Sequence, residues 1–255
     1  MKKLTNVNHL PLVVAALGAV AAVLRWLLYR MVDGRLLLPE NHPLQWLVVG
    51  LTVAVGVLIV AGIRNLDGHP GYRKNFAPSL PAAMGAFLAA AGILFTVLTE
   101  GAPRDGMFES WWRLLGIAAA PCFVWVGICR YQGKKPFFLY YVAICGFLAF
   151  HMLNNYQYWS GTPQTMDFVY SLLACVVLML FAYYQAAFCV GVGKRRMQLF
   201  MGLFGGFLSI VALSGTDYWC LYCGCGVWAL TNLCTFAPAP KPKPEKESEG
   251  GDATA

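Results

Sequence analysis

Long apolar runs separated by short polar gaps make up most of this chain, and the runs show no strand-like alternation. Eight of them reach membrane length, at residues 10–30, 45–63, 80–100, 111–130, 136–154, 167–192, 197–214 and 218–236. A bilayer core of ~30 Å needs roughly 17–25 helical residues to cross it. A backbone in lipid must also satisfy its own hydrogen bonds, which selects helices. Gaps such as 193–196 and 215–217 are so short that neighbouring runs must be antiparallel. The pattern predicts an all-α integral membrane protein, a bundle of eight transmembrane helices in antiparallel hairpins over residues 1–236. The stretch 237–255 carries Pro238, Pro240, Pro242 and Pro244 among Lys, Glu and Gly, too little apolar content to order itself, and is expected to be a disordered tail.

Basic residues recur at every second gap. Lys2 and Lys3 precede the first run, Arg64, Arg73 and Lys74 follow the second, and Arg130, Lys134 and Lys135 follow the fourth. Lys194, Arg195 and Arg196 follow the sixth, and Lys241, Lys243 and Lys246 the eighth. Lys/Arg-rich connections stay on the cytoplasmic side, so both termini are expected there. Of the 19 basic residues, this leaves outside only Arg25, Arg30, Arg35, Arg104 and Arg113. Asp33, Glu40, Glu100, Asp105, Glu109, Asp167 and Asp217 also fall outside. Seven spans would put a basic triplet or the tail on the wrong side. A cleavable leader ending at Ala19-Val20-Ala21 is disfavoured, because the apolar run continues through Val23, Leu24, Trp26, Leu27 and Leu28.

Composition agrees with a lipid environment. Charged residues make up 12% of the chain, against roughly 25% in a soluble domain. The net charge of +7 is gathered beside the spans, so it is read as a topology signal and a weak contact to anionic lipid, with no nucleic-acid partner. Small residues crowd the first, third and seventh runs: Ala15, Gly18, Ala19 and Ala22; Gly85, Ala89 and Gly92; Gly202, Gly205 and Gly206. Such residues let helix backbones approach closely in lipid, so these three helices are expected to pack tightly. Pro121 removes one backbone bond from the fourth helix and is expected to kink it. The loop from Arg64 to Pro81 reads as a solvated basic connection.

No Asp, Glu or Lys lies near the centre of a run, which argues against an ion-coupled pump. Candidate chemistry gathers on the outer side, where aromatic residues mix with polar ones. The residues singled out for ligand binding are Glu109, Trp112, His151, Asn155, Tyr158, Trp159 and Asp217. Rings and carboxylates together suit a cation or a polar ring; the competing reading is an interfacial aromatic belt. Of nine cysteines, Cys122, Cys129, Cys145, Cys175, Cys189 and Cys234 stand singly in apolar runs. Cys220-Leu221-Tyr222-Cys223-Gly224-Cys225 is the exception, and Cys220 and Cys223 at a helix N-terminus could undergo disulfide exchange. No metal and no cofactor is expected. No Gly-x-Ser-x-Gly or His-Glu-x-x-His occurs. The leading reading is a carrier or membrane sensor that takes a small or lipid-like ligand from the outer face. The alternatives are a membrane-embedded thiol-redox enzyme using Cys220 and Cys223, and a structural or assembly partner of another membrane component.

Overall fold

The computed structural model describes residues 9–31, 42–64, 70–100, 107–159, 168–215 and 218–234. Among them there is no strand. The helices are α1 (Leu10–Met31), α2 (Pro43–Ile63), a single-turn α3 (Tyr72–Asn75), α4 (Leu80–Thr99) and α5 (Met107–Gln132). They continue with α6 (Phe138–Trp159), α7 (Val169–Val190), α8 (Arg195–Ala212), a 3-10 turn at Leu213–Gly215, and α9 (Trp219–Cys234). Seven of these, all except α3 and α9, are long and apolar enough to cross a membrane. The chain therefore has the architecture of a multi-pass helical membrane protein. α9 fills the eighth expected segment, but its 16 residues rise only about 24 Å, less than the ~30 Å of a hydrocarbon core.

Local sequence sets the helix ends. α4 starts where Ser79 accepts a hydrogen bond from the Ala82 N–H at 3.3 Å, with Pro81 in the first turn. α2 starts on His42, whose Nδ1 accepts from the Leu44 N–H at 3.3 Å ahead of Pro43. Gly191 ends α7 with φ of 91°, a left-handed conformation that favours glycine. α5 runs unbroken through Pro121. α6 continues past the expected limit of 154 to Trp159, because no Gly or Pro intervenes. Asn155 reinforces that last stretch by donating to the His151 carbonyl at 2.9 Å. Residues 155–159, outside the fifth apolar run, are therefore part of the helix.

Apolar burial does not draw helices together in lipid; close contact and hydrogen bonds do. Each of the small-residue helices sits at such a contact, but they do not form one cluster. α1 packs on α8, with Gly18 against Ile210, whereas α4 packs mainly on α9 and α5. α4 and α9 approach closely enough for backbone to meet backbone. A Cβ on Gly224 would stand 2.7 Å from the Leu88 carbonyl oxygen, and one on Gly92 would collide with the Cys220 carbonyl. Spans joined in sequence pack side by side, except α2 and α4; α2 lies against α1 and α8 instead. This leaves one end of the bundle where α2, α5 and α7 finish and α4, α6 and α8 begin, here called the basic end. The opposite end is the aromatic end.

The segment 70–79 overturns the expectation of a solvated loop. Asp67 and His69 lie outside the described residues. Tyr72, Asn75 and Phe76 are buried under the basic end, and Phe76 meets Phe188 edge-on at 5.3 Å. Arg130 lies over the Phe76 ring at 4.8 Å, and its Nη1 donates to the Ala77 carbonyl at 2.8 Å. Its Nε donates to Asn232 Oδ1 at 3.2 Å, and its own carbonyl accepts from the Ser79 N–H. Arg130, expected at the headgroups, is only 2% exposed, and Arg195 is equally buried. A guanidinium tolerates this because carbonyl, amide and ring face can meet its donors. Arg64, Arg73, Lys134, Lys135, Lys194 and Arg196 are exposed, as expected of basic connections. Burial holds the Tyr72 hydroxyl above its usual pKa, against the lowering effect of Arg130.

Candidate functional site

At the aromatic end, α5, α6 and α9 bring their rings together around His151. α6 presents Phe147, His151, Asn154 and Asn155 on one inward face, at positions separated by three or four residues. His151 and Trp112 are both 0% exposed. Trp112 Nε1 donates to His151 Nδ1 at 3.0 Å. Nδ1 is therefore an acceptor, and the ring hydrogen sits on Nε2. Phe147 stacks on the imidazole at 6.1 Å, and Tyr218 stands edge-on at 4.9 Å. Tyr222 closes a further side at 6.3 Å.

The amides beside this ring are less well served. Asn155 Nδ2 donates to the His151 carbonyl at 2.9 Å and lies 3.2 Å from the accepting Nδ1, but Asn155 Oδ1 is buried with no hydrogen-bond partner. Asn154 is 2% exposed, and neither its Oδ1 nor its Nδ2 has a partner. The adjoining α7–α9 contact is better paired: Tyr222 donates to the Ser171 carbonyl at 3.1 Å and lies 3.2 Å from Cys175 Sγ. Each buried polar atom left unmatched costs about 1–3 kcal/mol. Three such atoms beside one imidazole thus give the end of α6 spare capacity to bind a polar group.

The seven candidate residues separate into three groups. Trp112, His151 and Asn155 come together. Glu109 is only half-buried and is paired with Arg113 one turn along α5, on the rim beside the cluster. Asp217 and the side chains of Tyr158 and Trp159 lie outside the described residues. Exposed and buried rings lie on opposite faces of the same helices. Trp111, Tyr156 and Trp219 are more than half exposed, whereas Trp112, Asn155 and Tyr218 point inward. Sequence reasoning missed Phe147 and Tyr222, which resemble any other apolar-face aromatic. The signal that could have found Phe147 was its spacing of four residues from His151.

Cys220 and Cys223 are free thiols one turn apart on α9, the first half-buried and the second exposed, while Cys225 is buried. Among the described residues, no group of three or more His, Cys, Asp and Glu could hold a metal ion. A third buried arginine lies towards the aromatic end. Arg25 of α1 lies over the Tyr170 ring at 4.8 Å, donates to the Val211 carbonyl at 3.4 Å, and so ties α1 to α7 and α8. Comparison with known proteins gives no match: no family model, no curated protein and no solved structure is significantly similar to this chain.

Proposed function

We propose that the protein resides in the cell membrane with both termini cytoplasmic, α9 completing an eighth crossing, and binds a small or lipid-like ligand at its outward-facing aromatic end. The role that fits such a site is a carrier or a membrane sensor. The observation that carries the reading is Asn154, buried on the His151 face with both amide atoms unmatched. A ligand with one hydrogen-bonding group and an apolar or planar body would satisfy the amides. Its body would lie against Trp112, Phe147, Tyr218 and Tyr222. The inward placement of Trp112, His151 and Asn155 supports this reading, since dispersal towards lipid would have removed it.

The test is to purify the full chain in mild detergent and identify co-purifying small molecules and lipids by mass spectrometry. A species retained by the wild type and depleted in both Asn154→Leu and His151→Phe is the expected result. Identical profiles in all three proteins would end the proposal.

A further inference from the structure

A second group of buried polar side chains lies at the basic end, where α7 passes into α8. Two glycines give the register of this antiparallel pair. A Cβ on Gly205 would be 3.4 Å from Leu178 Cδ2, and one on Gly202 would be 2.6 Å from the Phe181 ring. One more turn towards the connection places Gln198 of α8 opposite Gln185 of α7. Gln198 is 0% exposed and Gln185 1%. Gln198 Oε1 and the Nε2 of both amides are buried without a hydrogen-bond partner. Leu233 of α9 reaches only the Gly202 level, and α9 ends at the next residue.

Charge at this place has a definite sign. Arg195 precedes Gln198 by three residues on the same face and is buried. α8 begins here with no acidic residue in its first turn and no side-chain cap. Lys194, Arg195 and Arg196 instead add positive charge where the helix dipole is already positive. Exposed Lys194 and Arg196 suit a membrane surface, but the inward Arg195 and the two unmatched amides do not need one. Two amide N–H groups, a guanidinium and a helix N-terminus are all donors, and they come from two helices. A tetrahedral oxyanion accepts from several directions at once.

We propose that Gln185, Gln198 and Arg195 form a binding site for a phosphate group entering from the basic end. The group could belong to free phosphate or to a lipid headgroup, and the chemistry of recognition is the same. This site is separate from the aromatic-end cluster and stands without it.

The test uses the full chain in maltoside detergent, which carries no phosphate. Its thermal midpoint is compared in inorganic phosphate and in chloride of equal ionic strength, and with and without added phosphatidylglycerol. A midpoint raised by phosphate alone identifies a soluble ligand, and one raised by the lipid alone identifies a headgroup. A rise in both supports the shared chemistry. The apparent affinity should fall about tenfold or more in Gln198→Leu and Gln185→Leu, the loss of one buried donor, while Lys194→Ala keeps the response. Leucine removes an unmatched amide and preserves packing, and the readout is a difference within each protein. No rise in either arm overturns the proposal. So does an undiminished response in Gln198→Leu, or a loss in Lys194→Ala as complete as in the glutamine variants.

Discussion

Arg130 and His151 are both buried polar hubs near opposite ends of the same helix bundle, and their surroundings differ in kind. Arg130 directs its donors to Asn232 and the Ala77 carbonyl and lays its plane over Phe76. His151 receives hydrogen bonds from Trp112 and from the Asn155 amide nitrogen, is otherwise enclosed by rings, and has three amide atoms beside it with no partner. Where lipid surrounds the protein, a polar group unmatched by protein has little water to turn to. The first hub is thus built for holding helices together. The second retains unused hydrogen-bonding capacity, which is what a binding site requires and a structural joint does not.

Substitutions at the two hubs should separate these roles, with unfolding in detergent as the measure. The largest effect is expected from Arg130→Met, which strands Asn232 Oδ1 and the Ala77 carbonyl and should cost about 3 kcal/mol. A loss within error of zero would mean that the hub holds nothing. Asn232→Leu should cost about 2 kcal/mol, because a charged donor then lacks its acceptor. Trp112→Phe keeps a ring against His151 but deletes the Nε1–H donor, for an expected loss of about 1 kcal/mol. Asn154→Leu carries the smallest effect and the opposite sign. Removing an unmatched amide from ligand-free protein should leave stability unchanged or raise it by up to about 1 kcal/mol. If Asn154→Leu destabilised the protein as much as Asn232→Leu does, the contrast between the hubs would collapse.

The helices were legible because lipid imposes a length and a hydropathy that few other structures share. The extent of α6 was not, since amides and aromatics after Asn154 fit a connection as well as a final turn. The basic residues were legible as a set and misleading one by one. Positive clusters mark an end of the bundle, but nothing in the spacing of Arg130, Lys134 and Lys135 says that the first is buried while the others are exposed. That distinction depends on Phe76 and Ala77, which come from a segment more than 50 residues earlier in sequence. Small residues showed which helices make close contacts, but not their partners. Partner choice rests on the facing surface, and Gly224, which meets α4, lies in α9. For the candidate site, residue type located Trp112, His151 and Asn155, and helical phase separated them from exposed Trp111 and Tyr156.

The pairing of α4 with α9 also has a consequence for biosynthesis. Four helices are made between them, so as each segment leaves the translocon, the Gly85–Ala89–Gly92 strip of α4 waits without its native partner. A groove shaped for a glycine-bearing backbone is poorly filled by acyl chains, and it remains open through the insertion of α5 to α8. Assembly therefore finishes in one late event, when α9 slides into the gap between α4 and α8. Ribosome-stalled chains ending before Trp219 should be degraded by membrane quality control much faster than chains long enough to release Cys234.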